Sequence, residues 1–355
     1  MNEKLVYLRN KLKTQNIDGM IITNSSNVSY LLGIPSSIEA ILLITKKENI
    51  CITDARYIEL INKIITVYDE IVVTNIKDVS KDDFENYFAF HENIGFEEYT
   101  LTYMEYKKMM HTYKLNNAVE TDKIIEKQRM IKDDDEIQNI KKACEITDNC
   151  FKHLTNFIQI GMTEKEIAFE IEKYFKLNGA DDISFKPIVA SGVNSSVPHA
   201  IPTDKKIEEF DIITIDMGCK YNGYCSDMTR TIFVKGVKPE YKAVYDLVLK
   251  NQLLTLDEIK DGKSIKSLSQ LVENDFKLYG YDLVHSLGHG VGLQIHEMPA
   301  VSAKNDTNLK QNEVITSEPG IYVFGRFGVR IEDTVLVGKE GGTALTNTTK
   351  DYVII

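Results

Sequence analysis

The sequence predicts two domains, a smaller α/β domain over residues 1–122 followed by an α+β domain over 123–355. The chain is 355 residues long, about twice a typical domain of roughly 150 residues. Its first third alternates short β-rich runs with helical patterns. The remainder runs helix, helix, strands and then repeats that order, which suggests a duplicated α+β unit without a residue-level repeat.

In the first domain Leu5, Leu8 and Leu12 mark one face of an amphipathic helix. GMIITN, AILLITKKENICITD and VYDEIVVTNI follow as β-rich runs. Residues 117–136 are charged and lack Gly and Pro, so they predict a helical or extended connection, and the domain boundary falls there. From Asp133 the positions Ile137, Ile140, Cys144, Thr147, Phe151, Leu154 and Ile158 step by three and four. That spacing predicts a long helix with Asp133 to Asp135 at its positive end. Thr163 with Glu166 makes a capping box for a second helix carrying Ile167, Ile171 and Tyr174, stopped by Gly179. Two more helices are predicted at 239–260 and 264–279, ended by Asp261-Gly262 and Gly280.

Composition removes several functions. With 53 acidic against 42 basic residues the net charge is −11, so a grip on a nucleic-acid backbone lacks its electrostatic driving force. The longest apolar runs, such as AILLI at 40–44, are too short to span a membrane. MNEKLVYLRNKLKTQN contains no apolar signal segment, so a cytoplasmic location is expected. Cysteines 51, 144, 150, 219 and 225 form no CxxC pair, which predicts reduced, buried thiols rather than disulfides or a soft-metal site.

Three segments carry candidate chemistry. In FDIITIDMGCKYNGYCSDMTRTIFV (210–234), Asn222-Gly223 suits a type I′ hairpin turn. A tight turn there places Asp216 opposite Thr229 and diagonal to Asp227, on one sheet face. Two strand aspartates facing water are the plainer alternative. VHSLGHGVGLQIHEMP (284–299) groups His285, His289 and His296 around glycines that let backbone approach closely. GHGVG matches neither common phosphate-binding glycine pattern. In ITSEPGIYVFGRFGVRIEDTVLV (315–337), Pro319 holds Glu318 extended and ends regular pairing. Arg330 alternates with Glu332, a pair equally consistent with an exposed ion-pair face.

Asp216, Asp227, His289, Glu318 and Glu332 together offer four carboxylates and one imidazole. Such a donor set suits two divalent metal ions, Mn²⁺ ahead of Co²⁺ or Zn²⁺, since structural zinc favours thiolates. Two cations about 3.5 to 4 Å apart can activate a water for hydrolysis.

With NVSYLLG (27–33), DARY (54–57) and SGVNSSVPHA (191–200), these segments resemble the pita-bread metallopeptidases, which include methionine aminopeptidases, Xaa-Pro aminopeptidases and Xaa-Pro dipeptidases. The resemblance spans the chain and implies a creatinase-type N-terminal domain before a pita-bread catalytic domain. It also implies that Asp216, Asp227, His289, Glu318 and Glu332 are the metal ligands, Asp227 and Glu332 bridging both ions. Glu318 would relay a proton, while His199, His285 and His296 face substrate or stand just behind the ligands and Arg330 orients the metal carboxylates. A peptide with proline in second position and a homodimer follow from the same likeness.

About 120 residues precede the catalytic part, which favours the prolyl peptidases over the methionine enzymes. Related dipeptidases often place an Arg soon after the HE dipeptide to bind the free proline carboxylate. Here no Arg occurs between His296 and Arg326. An Xaa-Pro aminopeptidase is therefore expected ahead of a dipeptidase, with Lys304, Lys310 or Arg326 as substitute cations. A non-catalytic peptide-binding module of the same fold is the remote alternative.

Overall fold

The computed structural model describes residues 3–34, 38–65 and 71–355, in two units, Met1–Arg129 and Met130–Ile355. The division falls after Arg129, a little beyond the expected 122/123 boundary, because a short helix at Ile124–Arg129 packs with the first unit's helices.

The first unit carries a six-stranded mixed sheet. Its strands are β1 (Gly19–Ile22), β2 (Ala40–Thr45), β3 (Asn49–Thr53), β4 (Ile71–Asn75), β5 (Asn93–Phe96) and β6 (Asn117–Glu120), in the order β4-β3-β2-β1-β5-β6. Residues 67–70 of the run VYDEIVVTNI lie outside the described residues. Helices α1 (Glu3–Thr14), α2 (Ser25–Leu32), α3 (Ala55–Ile65), α4 (Lys81–Asn86), α5 (Tyr103–Thr112) and α6 (Ile124–Arg129) complete the unit, with Leu5, Leu8 and Leu12 buried as their spacing predicts. The motif NVSYLLG forms α2. Its Asn27 is buried and donates to Glu97 and Glu126, each at 2.7 Å, while accepting from Arg129 at 2.8 Å.

The second unit shows the doubled order. Helices α7 (Asp134–Phe157) and α8 (Glu164–Leu177) precede β7 (Asp182–Ile183), β8 (Ile188–Ser191), β9 (Ile212–Met217), β10 (Cys219–Tyr221), β11 (Tyr224–Cys225) and β12 (Met228–Phe233). Helices α9 (Pro239–Glu258) and α10 (Ile265–Leu278) precede β13 (Gly288–Gly290), β14 (Glu297–Val301), β15 (Val314–Ser317), β16 (Gly320–Val323), β17 (Phe327–Arg330), β18 (Asp333–Val337) and β19 (Gly342–Ala344). Capping boxes at Asp133/Glu136 and Thr163/Glu166 start α7 and α8 as their sequences dictate.

Period-two alternation positions the site. Ile213, Ile215 and Met217 of β9 pack with Phe151, Leu154, Ile171 and Phe175 of α7 and α8. Asp216 therefore points to the opposite face. In the second half Val248, Leu268, Val272 and Phe276 of α9 and α10 cover Ile315, Val329 and Val335. All five cysteines are buried and unpaired, and burial raises the thiols of Cys51 and Cys225 to about 12 and that of Cys219 to about 11. Among the described residues no helix is long and apolar enough to cross a membrane.

Candidate metal centre

Asn222 and Gly223 both take positive φ, 47° and 80°, as a type I′ turn requires. The hairpin pairs Tyr221 with Tyr224, Lys220 with Cys225 and, past Gly218, Asp216 with Thr229. A Cβ on Gly218 would collide with the Ser226 carbonyl, so the crossover between the two short sheets needs glycine. Asp216 and Asp227 line one cavity of about 610 Å³.

His289 enters that cavity from β13. Its neighbours Gly288 and Gly290 have no room for a side chain, since a Cβ would meet Thr316 backbone on one side and Met298 backbone on the other. Close strand approach fixes His289: its N–H donates to Thr316 Oγ1 at 3.0 Å, and Thr316 Oγ1 donates to Glu318 Oε1 at 3.3 Å. Glu318 stands where β15 has ended before Pro319. Glu332 occupies the break between β17 and β18, its N–H donating to Thr229 O at 3.1 Å. Arg330 and Glu332 are only 3% and 2% exposed, which overturns the surface ion-pair reading of that segment.

The five candidate ligands converge. His289 Nε2 lies 3.4 Å from Asp227 Oδ2 and 3.6 Å from Glu318 Oε1. Ligand atoms of Asp227, His289 and Glu332 all lie within 4.8 Å of one another. Arg330 Nη2 donates to Asp216 Oδ2 at 2.5 Å, while its Nε donates to Thr229 Oγ1 at 2.9 Å. Thr229 Oγ1 in turn donates to Glu332 Oε2 at 2.6 Å, so one threonine couples the guanidinium to a second carboxylate.

Burial raises the carboxyls of Asp216, Asp227 and Glu332, and the neighbouring carboxylates add to the effect. Arg330 opposes that rise but cannot offset it for all three. Asp216 Oδ1 is buried with no hydrogen-bond partner among the described residues. A buried cluster short of positive charge, rich in oxygen donors and carrying one imidazole, fits divalent cations.

The remaining predicted residues ring this cluster. His199 and His296 are exposed on the cavity wall, and the His296 ring meets that of His289 edge-on at 4.3 Å. Partial desolvation at the cavity wall, with His289 beside it, lowers His296; burial lowers His285. His285 Nε2 lies 3.1 Å from Tyr322 Oη, which accepts from Arg330 Nη1 at 2.7 Å. Sequence reading missed Tyr322, Thr229 as a coupling residue and Thr316. Only Thr229 carried a signal, through its place opposite Asp216. Lys304, Lys310 and Arg326 do not line the cavity, and Arg326 pairs with Glu240 instead. Lys186 does line it and was not anticipated.

Residues 4–131 match the Creatinase/Prolidase N-terminal domain model and residues 138–339 the Metallopeptidase family M24 model. The chain is 35% identical over 356 residues to a Xaa-Pro dipeptidase of Pyrococcus horikoshii, covering 99% of each. It superposes on the Xaa-Pro dipeptidase from Bacillus anthracis with TM-score 0.93 and 37% identity, covering 99% of both chains. The X-Pro aminopeptidase from Thermotoga maritima gives TM-score 0.87 at 33% identity, over 98% of this chain and 100% of that one. The architecture is thus a creatinase-type domain followed by a pita-bread catalytic domain, and with matches covering both units the chain belongs to metallopeptidase family M24.

Proposed function

We propose that this chain is a two-metal exopeptidase that hydrolyses Xaa-Pro dipeptides. The observation that carries the reading is the convergence of Asp216, Asp227, His289, Glu318 and Glu332 in one cavity. These five residues would hold the ions, Mn²⁺ foremost. When bound, such ions supply Lewis acidity to a water and to the scissile carbonyl.

The chain's own groups do the rest. Arg330 and Thr229 fix Asp216 and Glu332 in place through the bonds described above. Glu318, half-buried and held by Thr316, receives the water's proton and returns it to the leaving nitrogen. His199 and His296 hydrogen-bond the substrate carbonyl and the oxyanion that develops from it. An Xaa-Pro bond is a tertiary amide with no N–H. A site that grips oxygen and carbon rather than that missing hydrogen suits it, and Phe185, Ile188, Ile201 and Ile295 give the cavity an apolar wall for the proline ring.

The dipeptidase form is supported by the two relatives named as Xaa-Pro dipeptidases. The aminopeptidase form, expected from the missing Arg after His296, keeps the Thermotoga maritima likeness on its side. A product assay on metal-loaded protein separates them. Ala-Pro should be split efficiently, with a kcat/KM at least tenfold above that for Ala-Pro-Ala. Preferential release of alanine from the tripeptide would reverse the choice.

A further inference from the structure

The cavity is lined by four carboxylates, Asp216, Asp227, Glu318 and Glu332, and by two side chains with a fixed positive charge, Arg330 and Lys186. A substrate ending in a free carboxylate brings one more negative charge into this acidic space, so it needs a cation that is not already engaged. Arg330 is engaged. Its Nη2 is bound to Asp216, its Nε to Thr229, and its Nη1 to Tyr322 Oη at 2.7 Å and Pro198 O at 3.2 Å. Lys186 is exposed at the cavity wall and has neither ion pair nor hydrogen bond among the described residues.

Local structure aims Lys186 along the same wall as the reacting end. Pro187 holds the preceding residue extended, and β8 begins at Ile188, which lies opposite Asp216 in the sheet. Two residues along an extended segment span about 6.6 Å and return to the same face. A lysine stem can cover a comparable distance while its ammonium stays in water. In an Xaa-Pro dipeptide the free carboxylate hangs on the residue next to the scissile carbonyl, whose Cα is about 3.8 Å from its neighbour. The ammonium and that carboxylate thus lie a few residues' span from the reacting centre within one cavity.

We propose that Lys186 determines substrate length by pairing with the free C-terminal carboxylate of an Xaa-Pro dipeptide. This rests on the Xaa-Pro reading above and adds the residue that would replace the absent arginine clamp. A longer peptide carries its carboxylate beyond this position and forfeits the pair.

Steady-state kinetics of the metal-loaded full chain on Ala-Pro and on Ala-Pro amide provide the test, comparing wild type, Lys186→Gln and Lys186→Arg. Loss of one charge-assisted contact should lower the acid-to-amide ratio of kcat/KM about tenfold in Lys186→Gln, through KM. Lys186→Arg should keep the ratio near wild type. An unchanged ratio in Lys186→Gln, or an equal loss on both substrates, would overturn the assignment while leaving the Xaa-Pro reading intact. No turnover of either substrate by the wild type would overturn both.

Discussion

Arg330 shows how much of the site depends on single side chains. Burial works against its charge, yet Tyr322, Asp216 and Glu332 hold the guanidinium above its ordinary range. It thus serves as a fixed counter-charge rather than a movable acid. Glu313 is the opposite case. Burial raises its carboxyl from 4.5 to about 7, partly offset by the Lys310 N–H and the charge of Lys132, and its Oε1 has no hydrogen-bond partner among the described residues. The folded state therefore holds this proton when the unfolded chain has released it, so stability falls as pH rises from 4.5 through about 7. Glu313→Gln should remove that slope and stabilise the protein at pH 8 by on the order of 3 kcal/mol, with little change near pH 4.5. Parallel urea titrations of both proteins across this range check it, and equal slopes would contradict it. At this scale the candidate ligand residues were legible because Asp, His and Glu stand out in apolar strands. Tyr322 and Lys186 were not, because nothing in their neighbours' pattern marks a residue brought into a cavity by long-range pairing.

Elements obey local chemistry where that chemistry is strong. Periodic apolar positions gave α7 nearly to the residue, the same periodicity with the Thr163/Glu166 capping box gave α8, and Asn222-Gly223 gave the register that sets Asp216 against Thr229. The Arg330–Glu332 segment left an exposed ion-pair face open because alternation implies a continuous strand, whereas the chain breaks between β17 and β18 and buries both residues. Strand β14 begins at one partner of a buried ion pair that is invisible in sequence. Lys132 Nζ lies 2.8 Å from Glu297 Oε1 with both side chains buried, at 1% and 6% exposure. Glu297 adjoins His296 and fills the space beside Gly292. Lys132→Met removes this buried counter-charge from beside that carboxylate and should destabilise the protein by about 3 to 5 kcal/mol. Lys132→Met with Glu297→Leu should recover most of the stability, measured by denaturant titration. A double variant no more stable than the single one would contradict this account of the pair.

For the whole molecule, an acidic chain with net charge −11 concentrates carboxylates at the meeting point of two similar α+β halves. Like charges gathered in a buried place cost stability unless a cation joins them. The fold therefore makes sense as a scaffold that brings strands from both halves around a buried carboxylate cluster suited to divalent ions, with helices covering the outer faces. The doubled order of elements was readable from sequence, but which strand ends meet was not, since pairings such as β15 with β18 depend on contacts between distant segments. The most direct test is elemental analysis of metal content in protein purified without chelator, comparing wild type with Asp227→Asn and reading Ala-Pro hydrolysis on the same samples. Wild type should carry about two divalent transition-metal ions per chain and Asp227→Asn fewer than about one, with turnover lost in the variant. Rapid hydrolysis by wild-type protein holding no stoichiometric metal would contradict the account.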